Sequence, residues 1–270
     1  MQGRLSPIYY ERIQCFPANH WQNEFILARD IGLDLIEWTL DAEDLYVNPL
    51  MNDEGRLEIK NLSRKYGVNV TSLTADFVMQ EPFWHFEDYE REYRKQVFID
   101  VCNACYLTSI RTIVVPLVDS SSIRSLSEER DVIEFFFWLT PFLSERGIRI
   151  VYESGYTPQE LARFIGSLPP GTHGINYDIG NSASLGFNCL EEFAAYGSRI
   201  THIHVKDRLL GGTTVPLGQG DVDFNLVLSH FKRTDYSGSF ILQTARASNN
   251  DHVGAMRQYV KQFFDWYSYA

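Results

Sequence analysis

The sequence predicts an α/β protein of the (β/α)8 barrel class. Short β-rich apolar runs alternate with longer amphipathic segments from one end of the chain to the other, which is the pattern of a parallel sheet built from βα units. Eight such units can be counted. No Gly/Ser-rich linker, charge block or shift in composition divides them, so residues 1–270 are expected to form a single barrel domain.

The strand candidates, in order, are residues 2–5, 35–39, 69–75, 112–117, 149–154, 174–179, 200–206 and 239–244. Gly67, Gly147 and Gly238 each supply a turn just ahead of one of them. Among the helices the last has the clearest period, with Val253, Met256, Val260, Phe263, Phe264 and Tyr267 expected on one stripe against the barrel. Residues 90–106 and 132–142 are apolar on one side, and Phe135-Phe136-Phe137-Trp138 reads as core rather than as an aromatic ligand site. The longest irregular stretches, 7–19, 40–55, 76–88 and 207–223, all follow strands. They therefore lie on the side where strands end, the catalytic side of this barrel class.

A formal charge of -11 opposes general attraction to nucleic acid or anionic membranes, which depends on clustered Lys and Arg. Any phosphate on a substrate must be met locally. The chain start has no apolar signal core and no apolar run approaches the length of a membrane span, so a cytoplasmic protein is expected. Four cysteines are too sparse for a disulfide scaffold. Cys102-x-x-Cys105 has helical spacing, and two buried thiols explain it better than zinc or redox chemistry, since Cys15 and Cys189 form no second pair.

Four consecutive strands finish with a residue able to bind a metal: Glu153, Asp178, His204 and Gln243. In a closed barrel the ends of strands five to eight are neighbours, so four inward side chains can meet around one ion. Two carboxylates, an imidazole and an amide oxygen suit Mn²⁺, Mg²⁺, Co²⁺ or Zn²⁺ better than a thiophilic metal. His202 and His204 share a face about 7 Å apart, so only one lies at the mouth. His204 is the better ligand. His202, one layer deeper, is either a packed, hydrogen-bonded histidine or a substrate contact.

Tyr177-Asp-Ile-Gly-Asn181, His202-Ile-His-Val-Lys-Asp-Arg208 and Leu217-Gly-Gln-Gly-Asp-Val-Asp-Phe224 resemble segments of the sugar phosphate isomerase/epimerase superfamily, the xylose isomerase-like TIM barrels. Gly32-Leu-Asp-Leu-Ile-Glu37 is similar to that family's second-strand signature, and the resemblance covers nearly the whole chain. The family includes ketose 3-epimerases, hydroxypyruvate isomerases, inosose dehydratases and endonuclease-IV-type enzymes. The resemblance implies one divalent metal held by Glu, Asp, His and Glu, with the first and last Glu as an acid/base pair. Glu153, Asp178 and His204 match, and Gln243 stands where the last Glu is expected.

An amide can coordinate through oxygen but cannot accept a proton near neutral pH. The symmetric two-base reaction is thereby put in question, and a one-base route remains. Glu153 and His204 are the catalytic candidates: Glu153 removes a proton next to a carbonyl, the metal stabilises the enediolate, and Glu153 returns the proton to the adjacent carbon. The reading is a metal-dependent sugar or sugar phosphate isomerase/epimerase of carbohydrate metabolism. Its alternatives are a keto-polyol lyase, of the inosose or 3-dehydroshikimate dehydratase type, and a non-catalytic sugar-binding barrel. A DNA-repair phosphodiesterase would need many more histidine ligands than the seven present.

Arg4, ending strand one, either binds a substrate carboxylate or phosphate or closes the barrel as a structural ion pair. Glu37 is expected to bind sugar hydroxyls or orient Arg4. Lys206 shares the parity of His204, and in related enzymes an Arg near Arg208 contacts substrate; for both residues a salt bridge with Asp221 or Asp223 is equally open. Asp76, Gln80 and Asp119 are further polar candidates. Trp21, Phe77, Phe83, Trp84 and Tyr156 either wall the pocket for a sugar's C–H faces or cover the barrel mouth or an oligomer contact. The expected partner is a small sugar-derived molecule, and the family resemblance leaves room for a homo-oligomer.

Overall fold

The structure, a computed structural model, describes residues 1–9 and 12–270. Seven parallel strands run in sequence order around a barrel wall: β1 (Leu35–Thr39), β2 (Asn69–Thr74), β3 (Thr112–Leu117), β4 (Arg149–Ser154), β5 (His173–Asp178), β6 (Ile200–Val205) and β9 (Ser239–Leu242). A short antiparallel hairpin, β7 (Asp207–Arg208) with β8 (Thr214–Val215), decorates the loop after β6.

The eighth position in the ring is held by the N-terminus. Gln2 bridges in parallel to Glu37, the Glu37 N–H donates to Met1 O at 2.8 Å, and Gln2 N–H donates to Leu242 O at 3.2 Å. The first expected strand, 2–5, is thus reduced to one paired residue. Gly3 explains the break: its φ of 48° leaves the extended region, so Arg4 no longer continues the ladder.

Helices α1 (Trp21–Asp30), α2 (Asp53–Tyr66), α3 (Asp76–Gln80), α4 (Asp88–Thr108), α5 (Leu126–Arg146), α6 (Pro158–Gly166), α7 (Ile179–Leu185), α8 (Cys189–Tyr196), α9 (Phe224–Arg233) and α10 (His252–Tyr269) occupy the connections. Their ends are written locally. Asn52 and Ser125 accept N–H bonds as N-caps of α2 and α5, and Thr157 with Glu160 forms a capping box on α6. Gly67 and Gly147 close α2 and α5 at φ 69° and 61°.

The core lies between strands and helices, where Phe98, Phe136, Tyr152 and Phe164 are almost fully buried. Only half of the 135–138 aromatic run joins it: Phe135 and Phe136 are buried while Phe137 and Trp138 are exposed. Four successive helical residues sweep most of a turn and cannot all face inward. Phe264 is likewise exposed, beside buried Phe263. Cys102 and Cys105 are free, buried in α4, and burial pushes both thiols up, which leaves them unreactive. Among the described residues no helix is long and apolar enough to cross a membrane.

Candidate active site

At the carboxyl end of the strands, β1, β4, β5 and β6 deliver Glu37, Glu153, Asp178 and His204 to one buried cluster around the His204 ring. His204 Nε2 lies 2.7 Å from Glu37 Oε1. Its Nδ1 faces Glu153 Oε2 at 3.2 Å and Asp178 Oδ2 at 3.8 Å. Glu37 also meets His202 Nε2 at 2.7 Å and accepts from Thr74 Oγ1 at 2.8 Å. Glu37 therefore serves two imidazoles rather than Arg4, and His202 is a buried, hydrogen-bonded histidine.

Electrostatics follow from those contacts. Burial disfavours every charge here, yet His204 and His202 hold the Glu37 carboxyl well below its usual range. Burial equally opposes a charged His204, and Glu37, Asp178 and Glu153 outweigh it, driving its pKa well up. Asp178 is held down against burial by Lys206 and His204.

Among the described residues, two groups of three side chains are close enough to hold a metal ion: Glu37 with His202 and His204, and Glu153 with Asp178 and His204. The first has no room, since its facing atoms already meet at 2.7 Å. The second fits. Ligands about 2.1 Å from one ion stand about 3.4 Å from each other, near the 3.2 and 3.8 Å found around Nδ1. With Nε2–H donating to Glu37, Nδ1 presents a lone pair toward two carboxylates; the Asn176 Nδ2 amide bridges Nδ1 and Glu153 Oε2 at 3.0 Å, and a proton or cation would relieve the repulsion that remains. Asp178 Oδ2, moreover, is buried without a hydrogen-bond partner of good geometry, although Lys206 Nζ stands 2.6 Å away.

Gln243 sits beside this cluster with its amide orientation fixed. Oε1 accepts from Lys206 Nζ at 2.8 Å, while Nε2 donates to Gln2 Oε1 at 2.6 Å and Gln14 Oε1 at 3.1 Å. Lys206 therefore reaches inward, between Asp178 and Gln243. Gly180 makes this possible: a Cβ there would stand 2.5 Å from Lys206 Cγ.

Above the cluster opens a cavity of about 1200 Å³. Glu153, Lys206, Arg208, Gln243, Gln14, Asp76, Gln80 and Asp119 line it. The five aromatic candidates do not. Trp21 packs on Phe25 and Trp38, Phe83 and Trp84 pack on each other with Phe83 against Phe135, and Tyr156 donates to Glu129. Phe77 and Phe83 instead line a separate, largely apolar cavity of about 290 Å³.

Arg4 lies beside Gln14 and the end of the last strand. Its guanidinium is buried, donating to Thr244 O at 2.9 Å, Gln2 O at 3.2 Å and Gln14 Oε1 at 3.4 Å, with no carboxylate partner among the described residues. Burial and nearby Arg246 bring it down to about 9. Arg208 donates to Asn181 Oδ1 and Gly212 O, and no salt bridge joins it or Lys206 to Asp221 or Asp223. Asp207, next to them, is fully buried and accepts from the N–H groups of Gly218, Gly220 and Val222, so it organises the loop.

The sequence reading passed over Asn176, Asn181 and Gln14. Asn176 Nδ2 lies 3.0 Å from both Glu153 Oε2 and His204 Nδ1, and Asn181 Nδ2 donates to Glu153 Oε1 at 2.5 Å. Both had a signal: Asn176 shares the inward parity of Asp178, and Asn181 closes the Tyr-Asp-Ile-Gly-Asn segment. Gln14 lies in irregular chain and had none.

An α/β barrel with a histidine–carboxylate cluster beneath a polar cavity defines a class of barrels built for polar small molecules. The chain belongs to the xylose isomerase-like TIM barrel family, whose model matches residues 25–263. The L-ribulose-5-phosphate 3-epimerase UlaE of Escherichia coli is 24% identical over 265 residues, covering 93% of this chain and 92% of that one. Among solved structures, the IOLI protein with a bound zinc atom superposes with a TM-score of 0.74 at 16% identity, covering 99% of this chain and 97% of that one. The 3-keto-D-glucoside 4-epimerase of E. coli gives 0.71 at 19% identity over 93% of this chain and 95% of that one.

Proposed function

We propose that residues 1–270 act as a single-domain, metal-dependent isomerase/epimerase of a sugar or sugar phosphate. The observation that carries this reading is the Nδ1 edge of His204, turned toward Glu153 and Asp178 by the Glu37 carboxylate behind Nε2. Glu153, Asp178 and His204 would hold the ion, with Gln243 Oε1 as an amide-oxygen ligand once Lys206 moves aside. A divalent ion there would polarise a substrate carbonyl and favour the charge that develops on its oxygen.

Glu153 takes the proton from the carbon next to that carbonyl. The C–H electron pair moves into the carbon skeleton, giving an enediolate whose negative charge rests on oxygen. Asn176 and Asn181 hold the Glu153 carboxylate on both oxygens and so fix its direction. Lys206 and Arg208, both on the cavity wall, are placed to meet hydroxyl or phosphate oxygens. The kinship to a ribulose phosphate 3-epimerase supports a ketose or ketose phosphate as substrate.

The test is to strip the protein with chelator, reload it with Mn²⁺, and incubate it in D2O with L-ribulose 5-phosphate and D-allulose. Deuterium entering the carbon beside the carbonyl, only after metal is restored, is the expected result. An unsaturated product would replace the reading by a dehydratase. Binding without exchange for any ketose would leave a non-catalytic barrel.

A further inference from the structure

Gln243 cannot carry a proton, yet a second carboxyl faces the same cavity from another wall. Asp76 follows β2 in the parity of Thr74, whose hydroxyl reaches Glu37, so its side chain enters the barrel one layer nearer the mouth. In the ring of eight positions β2 lies four places from β6, directly across the cavity from the His204–Lys206 edge, and two places from β4. Asp76 and Glu153 therefore approach a bound molecule from different sides. The Asp76 side chain is buried, and Gln14 Nε2 donates to its Oδ2 at 2.7 Å. The same Gln14 accepts from Gln243, so the Gln243 amide is wired through Gln14 to the Asp76 carboxyl, which is buried.

Resting on the reading of Glu153 as the base, we propose that Asp76 is the second proton carrier of this site, and that the reaction is epimerisation at the carbon beside the carbonyl. Glu153 removes that carbon's proton and the electron pair passes to the carbonyl oxygen. The Asp76 carboxylic acid then delivers its proton to the opposite face of the same carbon, and the electron pair returns to restore the carbonyl. Glu153 ends protonated and Asp76 ionised, and exchange with solvent resets both. Asp76 is suited to this: burial raises it to about 7, with Asp41 and Glu153 adding to the rise and Gln14 and Arg4 opposing it.

Asp76→Asn keeps the bond to Gln14 and removes the proton. With L-ribulose 5-phosphate and D-allulose in D2O, the Mn²⁺-loaded variant is expected to exchange the carbon-bound proton within a few-fold of the wild-type rate. Epimer formation should fall about 100-fold or more. Epimerisation at the wild-type rate overturns the proposal, as does equal loss of exchange and epimerisation. Wild-type protein that neither exchanges nor epimerises either sugar would count against the assigned function, not against Asp76 as a proton carrier. That role is read without substrate from the carboxyl infrared band missing in the Asp76→Asn difference spectrum. A band that titrates near neutrality supports it, and a carboxyl ionised down to about pH 5 overturns it.

Discussion

Two histidines on adjacent strands are equally buried, His173 at the start of β5 and His204 at the end of β6, each 0% exposed. Their surroundings send them in opposite directions. The His173 ring bonds neutral groups, Tyr152 Oη at 3.1 Å and Thr140 Oγ1 at 3.2 Å, and stacks on Tyr152. Burial, helped by Arg199, brings it down to about 4. His204 meets three carboxylates, which overcome the same burial and push it up. Burial sets the stakes and the partners decide the sign. The bottom of the barrel thus keeps a neutral ring for packing, while the top surrounds one with carboxylates that favour positive charge there, the division of labour expected of the two ends of this fold.

The comparison can be broken at its top end first. Glu153→Gln should lower kcat about 1000-fold while sugar affinity, read by titration calorimetry, stays near wild type. Unchanged turnover would remove Glu153 from its assigned role.

At the bottom end, the depressed His173 means that the unfolded chain binds its proton at higher pH than the folded one. Its contribution is whole above about pH 6.5 and drains away as pH falls toward about 4, by about 3 kcal/mol for a shift of that size. Urea midpoints across that range should fall for the wild type and flatten for His173→Gln.

Replacing Glu37 by Gln sharpens the contrast, because it strips His204 of the group that turns Nδ1 toward the carboxylates. Metal affinity should drop about 10- to 100-fold, measured by competition with a fluorescent chelator. Gly180→Ala should have the smallest effect, a loss of about 1–3 kcal/mol seen as a lower Tm, since its Cβ would press on Lys206.

What could be read in the chain was whatever is written at short range. Strand ends carrying Glu153, Asp178 and His204 stand out because each follows a run of β-rich residues, and closure of the barrel then makes them neighbours. Gln243 stands out as an exception to the same rule. The shrinking of the first strand was hidden, since Gly3 fits an extended backbone as well as the left-handed turn it takes. The partners of Arg4 were hidden, because Thr244 and Gln14 are backbone and loop groups that no periodicity marks. The expected aromatic walls failed for a related reason: Trp21 packs on Phe25 and Trp38, and Trp84 on Phe83, leaving the cavity rim to glutamine, aspartate and arginine.

The buried carboxylate of Asp207 has a consequence in time rather than in shape. By gripping three amide protons of the segment that follows, it removes them from solvent, so they should be among the slowest loop amides to exchange for deuterium. One wall of the cavity entrance is expected to keep that slow clock.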